Sequence, residues 1–418
     1  MNNLLVQIKQ SLAKAIQWVQ QQPLSRLLLL AIPLILVGGV LFLFGLWTLL
    51  QEKPAATPTS QPTQEAKILS TVPAATSRPP DDLVRLAWFY KPPEEGQLDS
   101  VAQNFDFFIL TYKDENERDA LKSKGVQSPF SQYLLFLVIE DPGDCEDNPS
   151  GNQVAYKAGD FCQISEQHPD WFLLDQNGER IKSGKDTYHM DPGSEGFRQF
   201  WVERASELQQ TFGWENLFLD NVEASRGKMV EDGQSLASYP DDKSYQAAVE
   251  GFLAYIRQNY VQPRGKQIYG NIVSMSDGDD VWDRYLQYLD GAMMESFATD
   301  WSDGYRSTED WELQMDLAER TLAQGKTLIL VAQGEEDDQE LQNFAFASYL
   351  LIANGNAVFR YTHSDNYRDV WLYPNYDQDL GTPKGKRHKE KDTWRREFTN
   401  GYVTVNPEKH QAEIVLNP

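Results

Sequence analysis

The chain has 418 residues, of which 41% are hydrophobic and 12% aromatic, enough for one large domain or two of ordinary size. Its formal net charge is −24, and an acidic protein repels the phosphate backbone of nucleic acids. We therefore expect no nucleic acid partner.

The N-terminal part of the chain is predicted to anchor it in a membrane. Residues 27–50 are predominantly apolar and carry no charged side chain, and a helix of that length spans the ~30 Å hydrocarbon core of a bilayer. The alternatives are a buried helix and a cleaved signal peptide, but the apolar region of a signal peptide is shorter and ends in small residues. Lys9, Lys14 and Arg26 precede the run, so the positive-inside rule predicts that residues 1–26 are cytoplasmic and that the rest is exported.

The exported part divides by composition into three segments. Residues 51–82 are rich in Pro, Thr, Ser and Ala and are predicted to form an extended linker. Residues 83–392 alternate between strand-like and helical patterns, and residues 393–418 have the alternation and turn residues of a small C-terminal β extension.

The segment 83–392 contains eight apolar strand patterns, most of them separated by a helical pattern. The predicted strands are residues 83–90, 105–112, 132–140, 214–222, 266–273, 290–297, 326–333 and 356–361. The predicted helices are residues 113–124, 195–212, 244–260, 277–289, 308–324 and 337–353. This alternation predicts an α/β fold with a parallel sheet, and eight units favour a (β/α)8 TIM barrel over an open sheet.

A long irregular region, residues 141–190, interrupts this pattern and is predicted to be a lid or an insertion. It contains the chain's two cysteines, Cys145 and Cys162. A lone pair in an exported domain is predicted to form a disulfide. Free thiols are an alternative, and a metal site, for which only His168 is near, is another.

In a TIM barrel the active site lies at the carboxyl ends of the strands, so polar residues that end apolar runs are candidates for it. Asp220 ends LFLD and Glu295 ends AMME, and neither is placed to cap a following helix. Two carboxylates that face one cleft are the groups needed for glycoside hydrolysis, because one attacks or activates water and the other protonates the leaving oxygen. We therefore predict Asp220 and Glu295 as the catalytic pair.

Other residues near predicted strand ends are candidates for substrate binding. They are Tyr90, Glu140, Asp191, Asn271, Trp301 and Arg360. Asp191 could equally cap the helix that follows it, and Glu140 borders an acidic loop. The aromatic residues Trp88, Tyr90, Tyr269 and Trp301 suit the faces of sugar rings.

Other kinds of chemistry find no motif. The chain has no GxSxG elbow, P-loop or GxGxxG after a strand, and its five histidines lack metal-ligand spacing. We therefore predict neither a cofactor nor a metal.

Several segments resemble a known family. HPDWFLLDQNGERI, MDPGSEGFRQFWVERASEL, LFLDNV, GAMMESF and REFTNGYVTVNP are similar to the glycosyl-hydrolase-like TIM-barrel family, which is distantly similar to endo-α-1,4-polygalactosaminidases and to the α-galactosidase clan. The resemblance covers about residues 83–418. It implies that Asp220 is the nucleophile and Glu295 the acid/base, where the clan usually has aspartate.

These observations together predict a membrane-anchored, extracytoplasmic glycoside hydrolase that acts on a polysaccharide. The alternative is a catalytically silent barrel that binds glycan or serves as a scaffold in the cell envelope, since a fold does not by itself assign a function. The two hypotheses differ in whether Asp220 and Glu295 lie across one cleft, about 5–10 Å apart.

Overall fold

The structure is a computed structural model that describes residues 83–227, 229, 235–273, 280–300 and 304–417. These residues belong to one compact unit, Val72–Pro418. The predicted cytoplasmic segment 1–26, transmembrane helix 27–50 and linker 51–82 lie outside the described residues. Within the described residues, no helix combines the length and apolar character needed to cross a membrane.

Eight parallel strands form a nearly closed barrel, as in a TIM barrel. In the order of their pairing they are β1 (Ala87–Phe89), β2 (Phe107–Leu110), β3 (Phe130–Leu135), β6 (Asn216–Glu223), β7 (Ile268–Val273), β8 (Gly291–Glu295), β11 (Thr327–Gln333) and β12 (Ala357–Thr362). Between β8 and β11 along the chain, β9 (Thr299–Asp300) and β10 (Gly304–Tyr305) form a short antiparallel pair. A parallel bridge between Leu86 and Phe359 links the last strand to the first, and Phe359 N donates to Arg85 O at 2.9 Å. The predicted parallel barrel is therefore confirmed.

Eight α-helices lie within the described residues. They are α1 (Leu98–Asn104), α2 (Glu115–Ser123), α3 (Asp160–Gln167), α4 (Glu195–Phe212), α5 (Asp242–Ile256), α6 (Val281–Tyr285), α7 (Thr308–Ala323) and α8 (Gln339–Ile352). The bounds of α4 match the prediction, since Ser194 caps its start and Gly213, with φ +71°, ends it. Helices α1 and α3 were not predicted, because two turns are too few to show a helical period.

Alternating residues of the strands pack into two separate apolar regions. The barrel interior is filled by Ala87, Phe89, Phe107, Ile109, Phe218, Tyr269, Met293, Ile329, Val331 and Val358. The intervening residues, such as Trp88 and Met294, pack outward in the larger cluster that includes the helices. The interior is therefore a packed apolar core, as is usual for this fold.

The predicted third strand, residues 132–140, is wrong in its extent. The barrel strand β3 ends at Leu135, whose N–H donates to Asn152 O of the insertion at 2.7 Å. The apolar run resumes as β4 (Val138–Glu140), which pairs antiparallel with β5 (Thr187–His189). One continuous apolar run thus serves two sheets, which a hydrophobic pattern alone does not reveal.

The predicted disulfide is present in the insertion between β4 and β5. Cys145 and Cys162 are bonded, with their Cα atoms 5.8 Å apart, and the bond ties the loop to α3. Helix α3 is fixed in turn to α4 by an ion pair between Asp160 and Arg204 at 2.5 Å. The region predicted as a lid or an insertion is therefore an ordered insertion.

The C-terminal β extension is confirmed as a four-stranded antiparallel sheet. Its strands are β13 (His388–Glu390), β14 (Thr393–Glu397), β15 (Gly401–Asn406) and β16 (Gln411–Leu416), so it begins a few residues before the predicted boundary. The sheet packs on α8, where Arg396 donates to the carbonyls of Leu350 at 2.9 Å and Ala353 at 2.8 Å.

Candidate active site

Asp220, Asn271 and Glu295 come from three neighbouring strands, β6, β7 and β8. Because the strands are parallel, the ends from which these side chains project lie at the same rim of the barrel. Asp220 is 9% exposed and Asn271 1% exposed, while Glu295 is partly exposed. The rim thus holds two acids, one of them nearly buried, with an amide between them.

The alternation of β6 points Asp220 into the barrel, since Phe218 lies in the interior and Leu219 packs outside it, and a β-bulge follows Asp220 directly. Leu219 pairs with Gly270 and Val222 with Ile272, so two residues of β6 face one residue of β7. The inserted residue, Asn221, has φ +56°, a conformation that asparagine tolerates better than most residues. The extra residue restores the outward direction at Val222, so the regular alternation of β6 ends just after Asp220.

A sharp turn also follows Glu295. The next residue, Ser296, has φ +61°, which is uncommon for serine and ends the strand at once. At the other end of β8, a Cβ atom on Gly291 would lie 2.2 Å from Thr327 O. Glycine therefore allows β8 to approach β11 closely, and the position of the strand determines that of Glu295.

The side chain of Asn271 links the two carboxylates. Its Nδ2 donates to Asp220 Oδ1 at 3.1 Å and to Glu295 Oε2 at 2.8 Å. Since one nitrogen contacts both, these two oxygens are separated by no more than about 6 Å, the sum of the two distances. The predicted pair therefore shares one site, and Asn271, predicted as a substrate-binding residue, lies between the two acids.

Each carboxylate also accepts a hydrogen bond from a tyrosine. Tyr133 OH donates to Asp220 Oδ2 at 2.6 Å, and Tyr367 OH donates to Glu295 Oε1 at 3.1 Å. The ring of Tyr90 lies between these tyrosines, with centroid distances of 5.3 Å to Tyr133 and 5.1 Å to Tyr367. The predicted residue Tyr90 thus forms part of the floor of the site, and its hydroxyl contacts Met293 Sδ at 3.2 Å.

The three tyrosines are held in their protonated form. Burial raises the pKa of Tyr90 and of Tyr133 well above its ordinary value, and the charge of Asp220 raises each further. Burial and then the charge of Glu295 raise the pKa of Tyr367 in the same way. The hydroxyls of Tyr133 and Tyr367 therefore remain donors to the carboxylates across the ordinary pH range.

Arg360 was predicted to bind substrate, but its guanidinium is occupied by the protein. It is 3% exposed and donates to the backbone carbonyls of Phe89 at 3.4 Å, Tyr367 at 2.7 Å and Asp369 at 3.4 Å. It also lies over the rings of Trp88 and Phe89, 4.3 and 4.8 Å from their centroids. These contacts give it a role in holding the loop after β12.

Glu140 lies on β4 in the insertion, not on a barrel strand. It accepts hydrogen bonds from Ser150 N at 3.1 Å and Gly151 N at 2.6 Å. Partial burial raises the pKa of Glu140, but the hydrogen bonds from Ser150 and Gly151 outweigh it and the net pKa is lowered. Its carboxylate therefore stabilises the loop, and a contact with substrate stays a prediction.

Asp191 follows β5 and does not cap α4, because Ser194 does so. Its carboxylate accepts a hydrogen bond from Gly193 N at 2.7 Å and one from Tyr239 OH. It therefore fixes the turn before α4 against the segment that carries Tyr239. A role with substrate stays a prediction for Asp191.

Trp88 and Tyr269, two other predicted aromatic residues, lie apart from the tyrosine cluster formed by Tyr90, Tyr133 and Tyr367. Trp88 packs outward, and Tyr269 lies low in the barrel with its hydroxyl 2.8 Å from Gln267 Oε1. Trp301 lies outside the described residues. Among the residues that the structure describes, no group of three or more His, Cys, Asp or Glu side chains could hold a metal ion.

Sequence reasoning missed Tyr133 and Tyr367. Tyr133 occupies an inward position of β3, and a correct end for that strand would have identified it. Tyr367 lies in the loop after β12, where no periodic pattern exists. Gln333, the last residue of β11, was also missed, and its Nε2 contacts Tyr367 OH at 3.2 Å.

A cavity of about 690 Å³ lies at the opposite end of the barrel, among the residues that precede β1 and β12. Its lining includes Leu83, Arg85, Asn356 and Asp379. Amino-terminal strand ends support stability rather than catalysis in this fold, so we assign the candidate active site to the rim with Asp220 and Glu295.

Comparison with known proteins gives one family match in sequence. The model of the family described as "Hypothetical glycosyl hydrolase family 15" matches residues 144–402, more than half of the chain. This region contains Asp220, Asn271 and Glu295. No curated protein matches the chain.

Solved structures of similar fold include several glycoside hydrolases. The glycoside hydrolase domain of PelA from Pseudomonas aeruginosa is 18% identical, with 69% of this chain and 97% of that chain covered and a TM-score of 0.45. The maltogenic alpha-amylase AmyB from Thermotoga neapolitana is 10% identical, with 78% and 86% covered and a TM-score of 0.47. The alpha-galactosidase from Lactobacillus brevis is 12% identical, with 78% and 46% covered and a TM-score of 0.42.

Proposed function

Because this chain belongs to the hypothetical glycosyl hydrolase family 15, we propose that it hydrolyses the glycosidic bonds of a polysaccharide with Asp220 and Glu295 as its catalytic residues. The observation that carries this proposal is that both carboxylates bond to one amide nitrogen, that of Asn271, at the catalytic rim of a parallel barrel. Their separation of no more than about 6 Å fits the spacing of retaining enzymes, about 5–5.5 Å, rather than the wider spacing of inverting ones.

In the first step, an oxygen of Asp220 attacks the anomeric carbon while the bond from that carbon to the leaving oxygen breaks. Glu295 gives its proton to the leaving oxygen, so the departing chain carries a hydroxyl group. The product is a glycosyl ester of Asp220 and an ionised Glu295.

In the second step, Glu295 removes a proton from water as the water oxygen attacks the same carbon. The ester bond breaks, its electron pair returns to Asp220, and the sugar leaves with its original anomeric configuration. No cofactor or metal takes part in either step.

The neighbours of Asp220 suit a nucleophile. Asn271 and Tyr133 donate to its two oxygens at 3.1 and 2.6 Å, which fixes the direction of the carboxylate. Glu295 is more exposed than Asp220 and lies at the rim, where the leaving group and then water must reach it. These contacts support the assignment of roles that the family resemblance implies.

We also propose that the enzyme is anchored in a membrane through residues 27–50, with residues 1–26 in the cytoplasm and the barrel outside it. The proposal rests on the charge bias of Lys9, Lys14 and Arg26 and on the disulfide, which is typical of exported domains. Protease added to intact cells should release the barrel by cutting within 51–82. A barrel that is cut only after the membrane is permeabilised would contradict this topology.

A screen of the full-length protein against envelope and secreted polysaccharides, with reducing ends as the readout, tests the activity. We expect one glycan class to be cut by the wild type and not by Asp220→Asn. If a glycan binds but is never cut, and both Asp220→Asn and Glu295→Gln bind it equally well, the barrel is a binding protein instead.

A further inference from the structure

The loop after β12 places one tyrosine hydroxyl between two side chains of the barrel. Tyr367 OH donates to Glu295 Oε1 at 3.1 Å and accepts from Gln333 Nε2 at 3.2 Å. Its ring packs on Phe89 and Tyr90, at centroid distances of 5.4 and 5.1 Å. The hydroxyl is therefore fixed with its proton toward Glu295, because the amide of Gln333 takes its acceptor side.

Tyr367 belongs to no strand or helix, so its backbone needs another support. Arg360 provides it, since Arg360 Nη2 donates to Tyr367 O at 2.7 Å and to Asp369 O at 3.4 Å, while Nη1 reaches Phe89 O at 3.4 Å. One guanidinium thus joins the end of β1 to the loop that carries Tyr367. Its planar fork suits several carbonyls at once, which a lysine could not match.

Arg360 is a costly choice for a purely structural link. Burial lowers the pKa of Arg360 to about 9, so the group remains charged at neutral pH inside the barrel. The rings of Trp88 and Phe89, 4.3 and 4.8 Å away, offset part of that cost. This buried charge contacts Tyr367, whose hydroxyl in turn contacts Glu295, so packing alone does not account for it.

We propose that Arg360 is a positioning residue that acts through Tyr367. By fixing the backbone of Tyr367, Arg360 determines the position of the Tyr367 hydroxyl, and this hydroxyl orients and stabilises the Glu295 carboxylate. The inference deepens the proposed function and rests on it, because it concerns the acid/base of that reaction. Arg360 itself contacts neither the substrate site nor Glu295 through its described hydrogen bonds.

The titratable groups around Glu295 come from four elements. They are Asp220 on β6, linked through Asn271, Tyr133 on β3, Tyr90 after β1, and Tyr367 after β12. The three tyrosines stay neutral because burial raises the pKa of each. The hydroxyl of Tyr367 is thus the donor through which a change at Arg360 reaches Glu295.

The test measures the Glu295 carboxyl directly, without turnover. The full-length protein is labelled with [δ-13C]glutamate and titrated by NMR, and the Glu295 signal is identified by its loss in Glu295→Gln. Tyr367→Phe and Arg360→Lys should each raise the midpoint of this titration by about one pH unit, because the carboxylate loses a donor or its alignment. The double variant should match Tyr367→Phe alone, because both changes break the same contact.

Two matched controls separate positioning from general loss of stability. Arg396→Lys alters another buried arginine that donates to backbone carbonyls, those of Leu350 and Ala353, beside the C-terminal sheet. Tyr260→Phe removes a buried hydroxyl that donates to Gln209. Neither control should move the Glu295 midpoint.

Kinetics add a second readout once the polysaccharide screen has given a substrate. Arg360→Lys should lower kcat about tenfold and leave KM within about twofold, since the lost alignment acts on the acid/base and not on substrate binding. If the wild type cuts no glycan, the proposed hydrolase function fails, whereas the titration still decides the positioning role.

Two results would overturn the proposal. An unchanged midpoint in Tyr367→Phe would show that the hydroxyl does not stabilise Glu295, and this variant decides the matter even if Arg360→Lys does not fold. A shift in Tyr367→Phe with none in Arg360→Lys, or additive shifts in the double variant, would show that Arg360 does not act through Tyr367.

Discussion

The substitution Asn271→Asp tests whether Asn271 contacts both Asp220 and Glu295. It exchanges an amide that donates to Asp220 at 3.1 Å and to Glu295 at 2.8 Å for a third carboxyl group in the same position. Two charges 4 Å apart repel by about 4 kcal/mol at an effective dielectric constant of about 20. The cluster would therefore retain one more proton than it does in the wild type.

The cost of retaining that proton depends on pH. Against an unfolded carboxyl pKa of about 3.9, one bound proton costs about 4 kcal/mol at pH 7 but only about 1.5 kcal/mol at pH 5. The folded protein then binds more protons than the unfolded chain, so the variant loses stability as pH rises. The deficit relative to wild type should grow by about 2.5 kcal/mol between pH 5 and pH 7.

Urea unfolding followed by tryptophan fluorescence at the two pH values measures this deficit. The matched control is Asn271→Asp combined with Asp220→Asn, which restores two carboxylates and one amide to the cluster. The extra pH dependence should largely disappear in that double variant. An equal deficit at pH 5 and pH 7 in Asn271→Asp would refute the shared contact of the two acids with Asn271.

Two further predictions concern the insertion and the tyrosine cluster. Replacing Cys145 and Cys162 by serine should lower the free energy of unfolding by up to ~3 kcal/mol, because the disulfide closes a loop with a sequence separation of 17 residues. An unchanged midpoint of urea unfolding would show that the disulfide adds no stability. In an absorbance titration, a fraction of the 19 tyrosines that includes Tyr90, Tyr133 and Tyr367 should stay protonated above pH 10 until the protein unfolds. Because the pKa values of these tyrosines are raised in the folded protein, their contribution to the free energy of unfolding should be fully present below pH 10.0 and should be lost as the pH rises above it. A single normal titration of all tyrosines in the native protein would contradict this prediction.

Much of the barrel could be predicted from the sequence because its strands are buried on both faces. Residues 328–332 are continuously apolar, and the observed strand Thr327–Gln333 nearly coincides with the predicted strand 326–333. The same property made residues 132–140 ambiguous. An apolar run does not show where the chain leaves one sheet for another, so Glu140 was assigned to a barrel strand that ends at Leu135.

The carboxylates could be predicted because they end apolar strands, where an acid is costly without a function. The residues that hold them could not. Asn271 was proposed to contact substrate, yet its amide joins Asp220 to Glu295, a contact set by the register of β6, β7 and β8. Registers arise from long-range pairing and from the bulge at Asn221, and the sequence shows neither.

Arg360 illustrates the same limit from the opposite side. Arg360 ends an apolar strand and was predicted to bind substrate, whereas its guanidinium donates to the backbone carbonyls of Phe89 and Tyr367. Its partners are carbonyl groups, which every residue has, so no pattern of side chains could identify them. Tyr367 was missed for a related reason, since only the path of its loop brings it to Glu295.

The most direct test of the hydrolase proposal compares the full-length wild type with Asp220→Asn and Glu295→Gln on the same glycan. Loss of a positioned acid or base should reduce kcat by about 10²–10⁴-fold, with thermal midpoints level or higher because both changes keep the shape of the side chain. Glu295→Gln should be partly spared on substrates with activated leaving groups, and Asp220→Asn should not. Full rates in both variants would contradict the assignment of Asp220 and Glu295 as the catalytic pair.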